Sequence, residues 1–185
     1  MYRKAIAVLL VLFAVGARAQ TPTADPAYTL HAGDKVQVSV WKEPDLLQTL
    51  TINPDGKLQM PLAGEFVAIG KTVSQLRGEI ETRLKALITE PVVTVSITDF
   101  NGNVAYVIGQ VQKPGSMIMN PRINVLQALS LAGGGTPFAK LDDIIVIRGS
   151  GSGQRVMPFR YSQVNEGKHL EQNVVLEAGD VVIVP

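Results

Sequence analysis

Several stretches bring together residue types that could do chemistry. Gly70-Lys71-Thr72 stands at the start of an amphipathic stretch and has the ending of a phosphate-binding loop, where backbone amides and a lysine hold phosphate oxygens. That pattern needs a glycine five residues before Gly70. Glu65 stands there and Gly64 is one position too far, so the segment reads as a helix N-terminus with its cap. Gly133-Gly134-Gly135 could cradle an anion, but phosphate-binding glycines precede a helix and these follow one. They read as a C-cap, and three in a row suggest a close backbone approach as well, with another subunit one candidate for it. Asp142-Asp143 could serve sugar hydrolysis, yet that reaction needs two carboxylates converging across a cleft, and neighbours on a strand point to opposite faces. A solvated turn entering a strand at Ile144 is the better reading. His31 and His169 lack any metal-ligand spacing and have no cysteine to join them. No Gly-x-Ser-x-Gly element is present. Trp41, the sole tryptophan, sits at a strand end beside Lys42 and Glu43. It could stack on a sugar ring, but its large burial area favours a core or interface role. No catalytic, cofactor-binding or metal-binding residue is assigned.

The elements that must position these residues follow from period and punctuation. A nine-residue phrase occurs twice, LHAGDKVQV at 30–38 and LEAGDVVIV at 176–184. Each predicts a tight turn, with glycine (Gly33, Gly179) at positive φ and aspartate (Asp34, Asp180) bonding locally, feeding a strand with valines at alternate positions. The first strand runs over 35–41 and the last over 181–184. Asn53-Pro54-Asp55-Gly56 predicts a hairpin joining strands 49–52 and 57–60. A further short strand lies within 61–70. Val73, Leu76, Ile80, Leu84 and Leu87 make one stripe of a helix over 71–87, opened by a Thr72/Gln75 capping box and stopped by Pro91. Residues 91–98 are a strand. Asp99 to Asn103 is the clearest turn cluster and the expected domain boundary. Beyond it come strands at 104–111 and 116–119, a helix over 125–132 capped by Asn124, strands at 144–147 and 155–159, and a flexible Gly-Ser loop at 149–153. The mature chain thus reads as two small α/β units in tandem, each with several strands and one main helix.

Composition limits the function classes. Arg3 and Lys4, the apolar run 5–15 and Ala17-Arg18-Ala19 form a secretory signal peptide with cleavage expected before Gln20. The run is too short to span a bilayer. The 185-residue chain carries 17 basic and 16 acidic side chains; losing Arg3, Lys4 and Arg18 leaves the mature protein at net −2, with no basic cluster for nucleic acid. There is no cysteine, which excludes a disulfide framework and a lipidated N-terminal cysteine. A Pro- and Ala-rich leader at 20–27 precedes the first strand and is expected to be flexible.

Taken in order, these pieces resemble a known family. Tyr28, Leu30, Gly33 and Asp34 form Y-x-L-x-x-G-D. TINPDGKLQMPLAG follows at 51–64, then the amphipathic helix and the Pro-Val-Val-Thr-Val strand at 91–95. Residues 28–100 resemble the polysaccharide export domain of outer-membrane auxiliary proteins. VIGQVQKPG (107–115), VLQALSLAGG (125–134) and LEAGDVVIVP (176–185) make residues 103–185 similar to a soluble ligand-binding β-grasp domain. The resemblance implies an α+β fold of two tandem domains, a mixed export-type sheet with a helix and then a β-grasp-like unit. It implies a periplasmic protein that catalyses no bond change and forms a homo-oligomeric ring through which exopolysaccharide or capsule polymer passes to the outer membrane. An inner-membrane copolymerase, often with a tyrosine kinase, is the implied partner below. Larger members carry a lipidated cysteine and a C-terminal membrane-crossing helix; this sequence has no cysteine and stops at Pro185, so a separate outer-membrane β-barrel is expected. Interface candidates are Gly33, Asp34, Gly133, Gly134, Gly135, Gly179 and Asp180. A monomeric periplasmic carbohydrate-binding or regulatory module, and a polysaccharide-modifying enzyme, stay open beside this reading.

Overall fold

The computed structural model describes residues 27–185; the signal peptide at 1–19 and nearly all of the leader at 20–27 lie outside the described residues. The first half contains β1 (Lys35–Val40), β2 (Glu43–Thr51), β3 (Lys57–Met60), β4 (Gly64–Val67), α1 (Val73–Leu84) and β5 (Val93–Asp99). β1 is central in a three-stranded antiparallel sheet ordered β2-β1-β5, and β3 and β4 pair with each other. The second half contains β6 (Val104–Gly109), β7 (Gly115–Ile118), α2 (Val125–Leu131), β8 (Ile144–Arg148), β9 (Arg155–Phe159), α3 (Tyr161–Asn165) and β10 (Val181–Val184). Its five strands are ordered β7-β6-β10-β8-β9. The final strand therefore inserts into the middle of the sheet, parallel to β6 and antiparallel to β8. The molecule is α+β in two parts. The parallel pairing that makes a sheet mixed lies in the second half, whereas the first half is antiparallel throughout.

Each half has its own core. The first gathers buried residues from Leu30 to Val95, the second from Ala105 to Val184, and no residue belongs to both. The expected alternation holds: Val36, Val38 and Val40 are buried on one face of β1. On α1, Leu76, Ile80 and Leu84 recur every four residues and are fully buried, each burial stabilising by about 1.5–3 kcal/mol. Thr72 and Gln75 form the capping box, Gln75 N donating to Thr72 Oγ1 at 3.3 Å and Thr72 N to Gln75 Oε1 at 2.8 Å. Asn124 and Gln127 repeat that arrangement at α2. The Arg83 guanidinium lies 3.9 Å from the centroid of the Phe66 ring and donates to Ala63 O, tying α1 to the β3–β4 hairpin. No described helix is long and apolar enough to cross a membrane.

Three expectations are corrected. The Asn-Pro-Asp-Gly turn exists, with Gly56 N donating to Asn53 O at 2.8 Å, but the strands on its two sides are not hairpin partners. β2 pairs along β1, while β3 turns away to pair with β4. The helix ends at Leu84 rather than Leu87, and Leu87 is exposed beyond it. Trp41 is 72% exposed, so it has no core role. Together with Lys42 (φ +65°) it forms the tip of the β1–β2 hairpin, whose last pair is Val40 and Glu43. The short helix α3 went unanticipated.

Candidate functional site at the junction of the two halves

The repeated phrase builds the same turn twice. At the first, Asp34 N donates to His31 O at 3.2 Å, and His31 N donates back to Asp34 Oδ2 at 2.9 Å. At the second, Asp180 N donates to Glu177 O at 3.0 Å, and Glu177 N to Asp180 Oδ2 at 2.8 Å. Gly33 (φ +93°) and Gly179 (φ +87°) supply the left-handed residue that lets each chain bend back. Both aspartate side chains are fully buried, and a buried carboxylate must be hydrogen-bonded or paired.

The two carboxylates meet that need differently. Asp34 Oδ2 also accepts from Tyr28 Oη at 2.6 Å, and Asp34 Oδ1 accepts from Gly102 N at 2.8 Å. Asp180 is held by Arg148, with Nε 3.0 Å from Oδ1 and Nη2 2.7 Å from Oδ2. Arg148 Nη1 reaches Glu177 Oε1 at 2.5 Å, and Nη2 donates to Val175 O at 2.8 Å. The Asp180 carboxylate raises the Arg148 pKa above its ordinary value. Burial first, and then the bond to Asp34 and its charge, push the Tyr28 hydroxyl far above the normal tyrosine range. Burial lowers the His31 pKa, partly opposed by Asp34 and reinforced by Arg122. The balance favours the neutral imidazole over the charged one.

Residues 99–103 join these turns as a packed junction. Gly102 sits so close to the first turn that a Cβ there would lie 2.3 Å from Ala32 O. Asn103 is buried and its side-chain amide donates to Met119 O. Val104 O accepts from Gly179 N at 2.8 Å, and Tyr106 N donates to Asp180 O at 2.8 Å, so the second turn lies against the start of β6. The Tyr28 ring contacts Phe100 edge-on, with centroids 5.2 Å apart. Both copies of the phrase are thus brought to one place. Between the halves opens a cleft of about 340 Å³, lined by Tyr28, Thr29 and His31 on one side and by Asn103, Arg122 and residues 175–178 on the other.

The remaining candidates lie elsewhere. Gly133–Gly135 follows α2 at the far end of β6 from the junction. Gly133 N donates to Ser130 O and Gly134 N to Leu129 O, which caps the helix as expected. A close backbone approach is made within the chain: Gln112 N donates to Gly134 O at 3.1 Å and Thr136 N to Gln110 O at 2.9 Å. Gly134 faces open space. Lys71 Nζ is engaged by Glu79. Asp142 accepts from Ser162 N at 2.8 Å at the start of α3, and that bond holds its carboxyl below the usual range. Among the described residues no cluster of three or more His, Asp or Glu side chains could hold a metal ion. Sequence reasoning missed His31, Arg122, Arg148 and Glu177 as neighbours. His31 and Glu177 stand three residues before the two aspartates and could have been found from that spacing; Arg148 and Arg122 gave no local signal.

Two family models match the chain in sequence order. Residues 22–98 match polysaccharide biosynthesis/export protein and residues 103–184 match the SLBB domain. The chain is 28% identical to the EPS I polysaccharide export outer membrane protein EpsA of Ralstonia nicotianae, over 84% of this chain and 46% of that relative. It is 30% identical to the exopolysaccharide production protein ExoF of Rhizobium meliloti, over 68% and 32% respectively. It is 26% identical to the capsule polysaccharide export outer membrane protein CtrA of Neisseria meningitidis serogroup B, over 84% and 43%. The chain spans less than half the length of these curated relatives. With export and SLBB segments meeting at the packed junction, and relatives across that junction drawn from export proteins, the chain belongs to the polysaccharide export protein family.

Proposed function

We propose that this protein is the periplasmic component of an exopolysaccharide or capsule export machine, and that copies of it assemble into a ring that passes polymer towards the outer membrane. The observation that carries the reading is the ordered pair of export and SLBB segments, shared over most of this chain with proteins whose names describe polysaccharide export. On this reading residues 28–100 form the export domain and 103–185 the ligand-binding domain. The chain guides a hydrated polymer by many weak polar contacts that permit sliding, catalyses no bond change, and works with an inner-membrane copolymerase.

Assembly is supported by the number of large apolar side chains left in solvent. Trp41, Leu47 and Val92 are each more than half exposed and line one shallow depression beside the β1–β2 hairpin, and contiguous apolar surface of this kind marks interaction sites. Native mass of the purified mature protein tests the ring directly; a monomer at high concentration would favour a carbohydrate-binding module instead. Gly134 offers a sharper version. It has φ +79° and open space around it, so Gly134→Ala and Gly134→Trp share a backbone strain of about 1–2 kcal/mol, but only tryptophan projects bulk outward. Gly134→Trp should lower the native mass with the circular dichroism spectrum intact, while Gly134→Ala keeps the assembly. Equal mass in the tryptophan variant counts against this loop as an interface.

A further inference from the structure

The cleft between the two Gly-Asp turns presents polar groups that the fold leaves unused. Tyr28 Oη gives its proton to Asp34, which as a carboxylate only accepts. His31 Nδ1 lies 3.0 Å from the same Tyr28 oxygen and must therefore be the donor to it. The neutral imidazole is fixed as the Nδ1–H tautomer, and Nε2 is left as an acceptor. Arg122 lines the same cleft, is exposed, and has no hydrogen-bond or ion-pair partner among the described residues. Glu177 also lines it. One of its carboxylate oxygens is taken by Arg148, and the other has no protein partner among the described residues.

We propose that this cleft binds one or two units of a saccharide chain through their hydroxyl groups. The proposal rests on the polysaccharide reading above and deepens it. A sugar hydroxyl both donates and accepts. It can donate to His31 Nε2 or to the free Glu177 oxygen, and accept from the Arg122 guanidinium, so sugar hydroxyls match the mix of acceptors and donor that line the cleft. Charge capture is the weaker match. Arg122 shares the cleft lining with the Glu177 carboxylate, and the nearby Arg148 is already taken by Glu177 and Asp180, so no cluster of free cations among the described residues gathers polyanions. The volume of about 340 Å³ stands at the small end of the roughly 300–1,000 Å³ usual for ligand sites. It suits a short stretch of chain rather than a whole polymer. Because Tyr28, Thr29 and His31 come from one half and Arg122 and Glu177 from the other, a bound unit touches both halves at once.

The test uses the 15N-labelled mature protein and oligosaccharides made by partial hydrolysis of the polymer its own host exports. Titration should shift the amide signals of Gly102, Asn103, Glu177 and Ala178 and the ring signals of His31. Arg122→Ala, which removes an exposed side chain that has no hydrogen-bond or ion-pair partner among the described residues, should weaken binding about 10-fold or more, as loss of a charged hydrogen bond does. Signals elsewhere that match the unsubstituted protein show that the variant is folded. A flat titration at millimolar probe, shifts centred on the Trp41 hairpin instead, or unchanged affinity in Arg122→Ala would each overturn the assignment. Failure of the underlying reading looks different: a strain lacking the gene would export polymer normally. Lost export together with a flat titration removes the cleft assignment alone.

Discussion

Replacing Arg148 with alanine is expected to cost about 3–5 kcal/mol of folding stability, because it strands a fully buried carboxylate. Asp180 takes both Nε and Nη2 of Arg148, and the only other donor to its side chain among the described residues is Glu177 N within the turn. Arg148 is itself only 16% exposed, so water does not readily replace it. The loss propagates because Arg148 ends β8 and Asp180 directly precedes β10, and these strands are partners at the centre of the sheet. Glu177→Ala supplies the control. Its carboxylate is 66% exposed, and removing an exposed partner changes stability by less than about 1 kcal/mol. Urea unfolding of the two variants checks the contrast. An Arg148→Ala protein within 1 kcal/mol of the unsubstituted one would mean that Asp180 is not held in the way described.

Gly102→Ala is the second large effect, and it acts on the junction itself. The backbone of Gly102 needs no special φ; the constraint is space. A Cβ would lie 2.3 Å from Ala32 O and 2.6 Å from His31 Cβ, and the first of these is backbone that cannot swing aside. Overpacking of this kind costs about 1–3 kcal/mol. Relief by moving the segment away removes the Gly102 N donor from buried Asp34, which costs a further 1–3 kcal/mol or so. The expected outcome is lower stability and faster proteolytic cleavage around 99–103. A variant as stable as the original and cut no faster would show that the two halves do not press together there.

The local half of this structure was legible and the long-range half was not. Thr72 with Gln75, Asn124 before α2, and the glycines after it read correctly because each cap is closed within a few residues. The Gly-Asp turns read correctly for the same reason. What each aspartate binds could not be read, since Gly102 lies 68 residues from Asp34 and Arg148 lies 32 from Asp180. The Pro-Asp-Gly turn shows the same limit: its chemistry says that the chain reverses, not which strand edge it joins. Trp41 is a different case. Its size argued for burial, but Val36, Val38 and Val40 fill the core face, and residue 41 falls in register with Lys35, Gln37 and Ser39. Strand parity already pointed the indole outward.

The central claim is that this protein moves polysaccharide out of the cell, and deletion of its gene in its own host tests that most directly. Polymer is then measured separately in the envelope and in the medium. The account predicts polymer retained inside the envelope and missing outside, restored when the gene is returned. Normal amounts outside would contradict it, and normal amounts with altered chain length or decoration would point to an enzyme instead.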